Sequence, residues 1–153
     1  MILPRGVTGI ESRKEGPPSY TDFHAFRGHC YVAARDAGWS VLEVLTPQRP
    51  IACNYALAVF TRHKETIAVV LNGVFPFLAF VIPPAEGQIE LDFADCPELG
   101  TAFEQLGYKV LPAVELARPL AREMWQGLAP HEQKDVRYFR PRRVGDVIYN
   151  YWD

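Results

Sequence analysis

From Asp22 to Ala37 the apolar residues Phe23, Phe26, Cys30, Ala33, Ala34 and Ala37 fall in one stripe when each residue advances by about 100°. Thr21 or Asp22 can cap the start and Gly38 offers a left-handed stop, so the pattern predicts a helix over 22–37. Four runs rich in β-branched, aromatic and aliphatic residues follow. Trp39–Thr46 is closed by Pro47 and Pro50, and Ala52–Thr61 is followed by the polar turn Arg62-His63-Lys64-Glu65. Thr66–Leu71 then reaches Asn72-Gly73, and Val74–Ile82 ends at Pro83-Pro84. The short connections predict an antiparallel meander, and Asn-Gly between apolar runs predicts a type I′ hairpin turn. Pro76 has no N–H for a ladder, which puts it at an edge, a bulge or a strand start. Ile89–Phe93 reads as one more short strand.

Asp95-Cys96-Pro97-Glu98 combines an N-cap, an early-turn proline and a nearby acid ahead of the stripe Leu99, Phe103, Leu106, with Gly107 as the stop. Tyr108–Leu111 reads as a short strand. A helix is expected near Leu116–Gln126, with Pro119 limiting its start to about Arg118 or Pro119, and another beginning after Pro130 and ending before Pro141. The ending alternates, with Val147, Tyr149 and Tyr151 opposite Ile148, Asn150 and Trp152, so Val144–Trp152 reads as a terminal strand. The expected class is α+β: an antiparallel sheet, a meander of about four strands plus a C-terminal strand, with helices on one face. Residues 1–153 read as a single domain. Its opening, Leu3 to Ile10, is a glycine- and proline-bearing loop, and 11–18 is the most linker-like stretch, expected to be mobile.

Composition narrows the function classes. With 22% charged residues and 12% aromatics the chain is not a disordered solvating one. Its longest apolar run, Val74 to Ile82, is too short for a membrane span, and the start has no signal-peptide pattern. Three widely spaced cysteines, Cys30, Cys53 and Cys96, fit reduced thiols, so a cytoplasmic location and no membrane partner are expected. Net charge is −2 but unevenly spread: 84–107 carries a balance of −6, and 134–143 a balance of +4.

Chemical signatures are sparse. His24 and His29 stand about 140° apart around a helix, and no Cys-x-x-Cys, His-x-His or His-Glu-x-x-His occurs, so neither a metal nor a cofactor is expected. No serine sits in a nucleophile elbow, and the glycines near Arg5-Gly6-Val7-Thr8-Gly9 lack the ending of a phosphate loop. Cys96, at a helix start, is the one cysteine with an argument for thiol reactivity. Glu43 is either an exposed edge acid or a buried one with a raised pKa.

Three candidate sites result. Glu86, Glu90, Asp92, Asp95 and Glu98 would steer a basic protein partner. Arg5, His24, His29, Glu43, Asp146, Asn150 and Trp152 are the polar and aromatic groups for a pocket between sheet and helices, with Asp153 beside Trp152 at its rim. Lys134, Arg137, Arg140, Arg142 and Arg143, interleaved with Tyr138 and Phe139, are candidates for anion or nucleic-acid binding, against which stands a pI of about 6.1.

The opening Leu3-Pro4-Arg5-Gly6-Val7-Thr8-Gly9 and the closing Gly145-Asp146-Val147-Ile148-Tyr149-Asn150-Tyr151-Trp152-Asp153 resemble the ends of a group of small bacterial proteins without assigned activity. In size and style the chain is similar to bacterial immunity proteins, which neutralise a toxin by binding it. The resemblance implies a non-catalytic protein-interaction module and carries no active-site residue with it. A small enzyme or ligand-binding protein is the alternative expectation, and nucleic-acid binding through 134–143 the next.

Overall fold

The computed structural model describes residues 1–47 and 53–152, so the Pro50 stop, the Ala52 strand start and Asp153 lie outside the described residues. The first helix, α1, spans Phe23–Ala37. The Asp22 carboxylate accepts from the Ala25 N–H at its start, and Gly38, at φ +78°, closes its end. Phe26, Cys30, Ala33 and Ala34 are its buried stripe, as the periodicity predicts.

Four strands follow as an antiparallel meander: β1 Ser40–Leu45, β2 Tyr55–Arg62, β3 Glu65–Asn72 and β4 Phe77–Val81. The β2–β3 hairpin turns on His63-Lys64, with His63 in the left-handed region at φ +54°. The outer edge of β4 is shared by two short strands. β5, Phe93–Ala94, runs antiparallel to the Phe80–Val81 end, and β6, Lys109–Val110, runs parallel to the Phe77–Leu78 end.

The α+β class and the meander agree with the sequence reading; four other expectations do not. Helices cover both faces of the sheet rather than one. β3 and β4 are apolar at consecutive positions, so both of their faces need burial. On one face α1 and α2 (Pro97–Gln105) pack Phe26, Leu99 and Phe103 against Phe60, Val69, Leu71, Leu78 and Phe80. On the other, Leu3 and Val7 join Leu116, Val136, Val147 and Ile148 over Ala68, Val70, Ala79 and Val81. That second layer contains α3 (Ala113–Leu116), α4 (Arg122–Trp125), α5 (Pro130–Phe139) and α6 (Val144–Ile148). Burial of each large side chain in these layers contributes about 1.5–3 kcal/mol.

The ending also departs from the expected strand. Val144–Ile148 is a helical turn and not a strand, because Val144, Val147 and Ile148 bury together at helical spacing while Asp146 accepts from the Arg143 N–H at the helix start. Third, Asn72-Gly73 is not a two-residue turn, since β3 ends at Asn72 and β4 begins at Phe77, after Pro76. The Asn72 side chain folds back to accept from the N–H groups of Val74 and Phe75, and a Cβ on Gly73 would lie 2.8 Å from the Asn54 carbonyl oxygen. The helix expected to start at about Arg118 or Pro119 is only the short α4, Arg122–Trp125, because Pro119 bridges to Arg143 instead and α3 has already ended at Leu116.

Candidate functional site

The ends of the chain are tied together by a buried polar network. Asn72, fully buried, donates to the carbonyls of Val7 (2.9 Å) and Ile148 (2.7 Å). Asn54 donates to Val7, Thr8 and Ile148 carbonyls and accepts from the Asn150 N–H. Asn150, only 3% exposed, donates to the carbonyls of Thr8 and Val147. Beside it the buried Glu132 carboxylate accepts from Gly6, Thr8 and Ala129 N–H groups and from the Thr8 hydroxyl at 2.6 Å. These side chains satisfy backbone groups where two loops lack regular structure, so their polar atoms serve the fold.

Arg143 then fixes the start of α6. Its guanidinium donates to both Asp146 carboxylate oxygens (2.6 and 3.1 Å) and to the Leu91 carbonyl, and lies 5.0 Å from the Phe93 ring centre. The Asp146 hydrogen bond pushes the Arg143 pKa up, keeping the guanidinium charged. Tyr149 donates its hydroxyl to the Phe77 carbonyl, and burial pushes that phenol well above its ordinary 10.0.

On this scaffold opens a cleft of about 350 Å³ between the 89–90 loop, the end of α5 and residues 149–152. Arg140, Arg142, Asp146, Asn150, Trp152 and Glu90 line it together with Ile89, Phe139 and Tyr151. The Phe139 and Trp152 rings stack at 5.2 Å with 3° between their planes, and Tyr138 meets Phe139 edge-on at 4.9 Å. Arg142 pairs with Glu90 across the opening, whereas Arg140 is exposed and makes no ion pair among the described residues. Candidates that the sequence assigned to three separate roles therefore meet in one place.

The remaining candidates lie elsewhere. Arg5 pairs with Glu15 and lines a smaller recess of about 140 Å³ with His131 and Glu132, where Ser12 and Gly16 also bridge. His24 is exposed on α1, and His29 shares a 2.8 Å hydrogen bond with the Tyr108 hydroxyl on the opposite side of the sheet from Glu132. Glu43 is an exposed edge residue of β1, which settles its two readings. The pocket set thus converges only at Asp146, Asn150 and Trp152.

The five acids do not share one free face. Glu90 answers to Arg142 and Arg143 in one layer, and Glu98 to Arg62 in the other. Asp95 accepts from the Ala113 N–H at the start of α3, and Glu86 and Asp92 are exposed. The basic run divides similarly: Arg137 lies 5.5 Å from the Trp125 ring centre, Lys134 is exposed, and Arg143 turns inward. Among the described residues no group of three His, Cys, Asp or Glu side chains could hold a metal ion, and no helix is long and apolar enough to cross a membrane.

Sequence reasoning missed Thr8, Asn54, Asn72 and Glu132 as members of one network, and Ile89 and Tyr151 as cleft walls. Glu132 alone left a signal, an acid three positions after Ala129 at a proline-marked helix start. Fold and site together define an α+β domain, its sheet covered on both faces, with an aromatic and mixed-charge cleft at its C-terminal end. No protein-family model matches the chain, and no curated protein or solved structure matches it either.

Proposed function

We propose that the protein is a non-catalytic, immunity-type binding module that docks another protein at the 89–90, 139–142 and 149–152 cleft, with Tyr138 beside it against Phe139. The observation that carries this reading is the composition of that surface. Tyr138 is 77% exposed, Ile89 65% and Tyr151 47%, and they adjoin the Phe139–Trp152 stack and the guanidinium of Arg140. Large aromatic side chains and arginines presented together are what dominate binding energy at protein interfaces, and large exposed apolar groups gathered in one place mark such interfaces. Of the acids of 84–107, Glu90 stands on the cleft itself, paired with Arg142.

The test is capture of a partner from native lysate by the wild-type protein, repeated with Tyr138→Ala and Trp152→Ala. Each substitution is expected to weaken capture of the same partner by about 2 kcal/mol, roughly thirtyfold, with unchanged circular dichroism. Substrate turnover with no protein retained would reject the reading. The cleft volume of about 350 Å³ favours a second reading, a small-ligand site, which a shift of melting temperature in a ligand screen would support.

A further inference from the structure

Resting on the protein-docking reading, we infer that the cleft recognises an acidic, aromatic-bearing segment of its partner, with Arg140 as the anchor for the incoming carboxylate. Three features of the cleft converge on this chemistry. Arg140 occupies the left-handed C-cap of α5, at φ +50°, where its N–H satisfies the Val136 carbonyl. Glycine takes that conformation without strain, and an L side chain does not. Arg140 stands there nonetheless, an exposed guanidinium at the cleft wall without an ion pair or hydrogen bond to any described residue.

The second feature is that the neighbouring arginine already holds a carboxylate. Arg142, 75% exposed at its side chain, is paired with Glu90 from the facing loop. Glu90 therefore shows what the cleft accepts and acts as an internal competitor for it. The third is charge. Asp146 is consumed by Arg143, so the cleft presents Arg140 and Arg142 against Glu90, with Lys134 and Arg137 exposed farther back along α5. An incoming carboxylate gains a free guanidinium at Arg140 and can take Arg142 from Glu90. An aromatic neighbour in the same segment packs beside Trp152 and Tyr151.

The experiment uses a fluorescein-labelled glutamate–tyrosine copolymer, read by fluorescence anisotropy at low salt, with labelled oligothymidylate as the comparison. The wild-type protein is expected to bind the copolymer, and binding should weaken as salt is raised. Arg140→Gly is expected to lose about tenfold in affinity while its urea midpoint stays equal or rises, because glycine relieves the backbone strain. Glu90→Gln is expected to bind severalfold more tightly, the opposite of what a purely structural role for the Glu90–Arg142 pair would give. Absence of copolymer binding, or tightening absent in Glu90→Gln, overturns the inference. Oligothymidylate binding as tightly with the same dependence on Arg140 overturns it in favour of nucleic acid. A captured protein partner retained equally by Arg140→Gly leaves the docking module standing and overturns this assignment of its chemistry.

Discussion

Asn72→Asp changes no shape and almost no volume, yet it is expected to make stability strongly pH-dependent. Asn72 uses its amide to capacity, two N–H donors on the Val7 and Ile148 carbonyls and one oxygen accepting from Val74 and Phe75. In the variant an oxygen faces those two carbonyls. As a carboxylic acid it can donate to one of them; as a carboxylate it repels both, in a site without exposure to water. Folding therefore retains the proton and raises the aspartate pKa above its unfolded value of about 3.9. The sign follows: a raised folded pKa means the variant is at its best below about pH 4 and loses stability as pH rises. Near pH 4 the deficit is one lost hydrogen bond to a carbonyl that Asn54 still reaches, about 0.5–1.5 kcal/mol. Each further pH unit adds about 1.4 kcal/mol, or about 4 kcal/mol more by pH 7 where the proton is held throughout. A domain's whole stability is about 5–15 kcal/mol, so the variant should be severely weakened at neutral pH. Urea unfolding of wild type and variant in parallel, from about pH 4.5 to 7.5, reads the difference directly. A deficit that stays flat across that range would refute the reasoning, because it would mean the site is open to water.

Gly145→Ala would place a Cβ 2.3 Å from the Phe93 ring and 3.1 Å from the Leu116 carbonyl, so a loss of about 1–3 kcal/mol in urea unfolding is expected despite alanine's better helix propensity. Burial pushes the Cys30 thiol up from 9.0 to about 12, so its contribution to stability is intact below pH 9 and lost progressively between pH 9 and about pH 12. Cys30→Ala should flatten that alkaline slope, and native Cys30 should resist alkylation at neutral pH until denaturant is added; rapid native labelling would contradict its burial. Arg143→Lys cannot reproduce the two-armed contact with Asp146 or the bond to the Leu91 carbonyl, and about 1–2 kcal/mol is expected to be lost, read by a double-mutant cycle with Asp146→Asn.

How much was legible follows from where each signal resides. α1 could be read with both caps because Asp22, its stripe and Gly38 act within a few residues of one another. The meander could be read because prolines and polar turns separate the apolar runs. Val144–Ile148 could not, since a five-residue segment that buries Val144, Val147 and Ile148 fits either period, and the layer it packs on decides. Asn72-Gly73 misled for a related reason: the asparagine reads as a turn former, whereas in the fold its side chain reaches the Val7 and Ile148 carbonyls. Of the cleft, Asp146, Asn150 and Trp152 were legible as a distinctive ending and Arg140 and Arg142 as a basic run. That Glu90 faces them was not.

The amino-acid order alone determined the class, the first helix and the order of the four long strands, because periodicity, caps and turn residues act over short distances along the chain. Tertiary structure decided that both sheet faces are covered, that Val144–Ile148 is helical, and that Glu90, Arg140, Arg142 and Trp152 meet. The physical reason is separation along the chain: Asn150 finds the Thr8 carbonyl across 142 residues and Arg142 finds Glu90 across 52, and only packing of the layers between them sets such pairings.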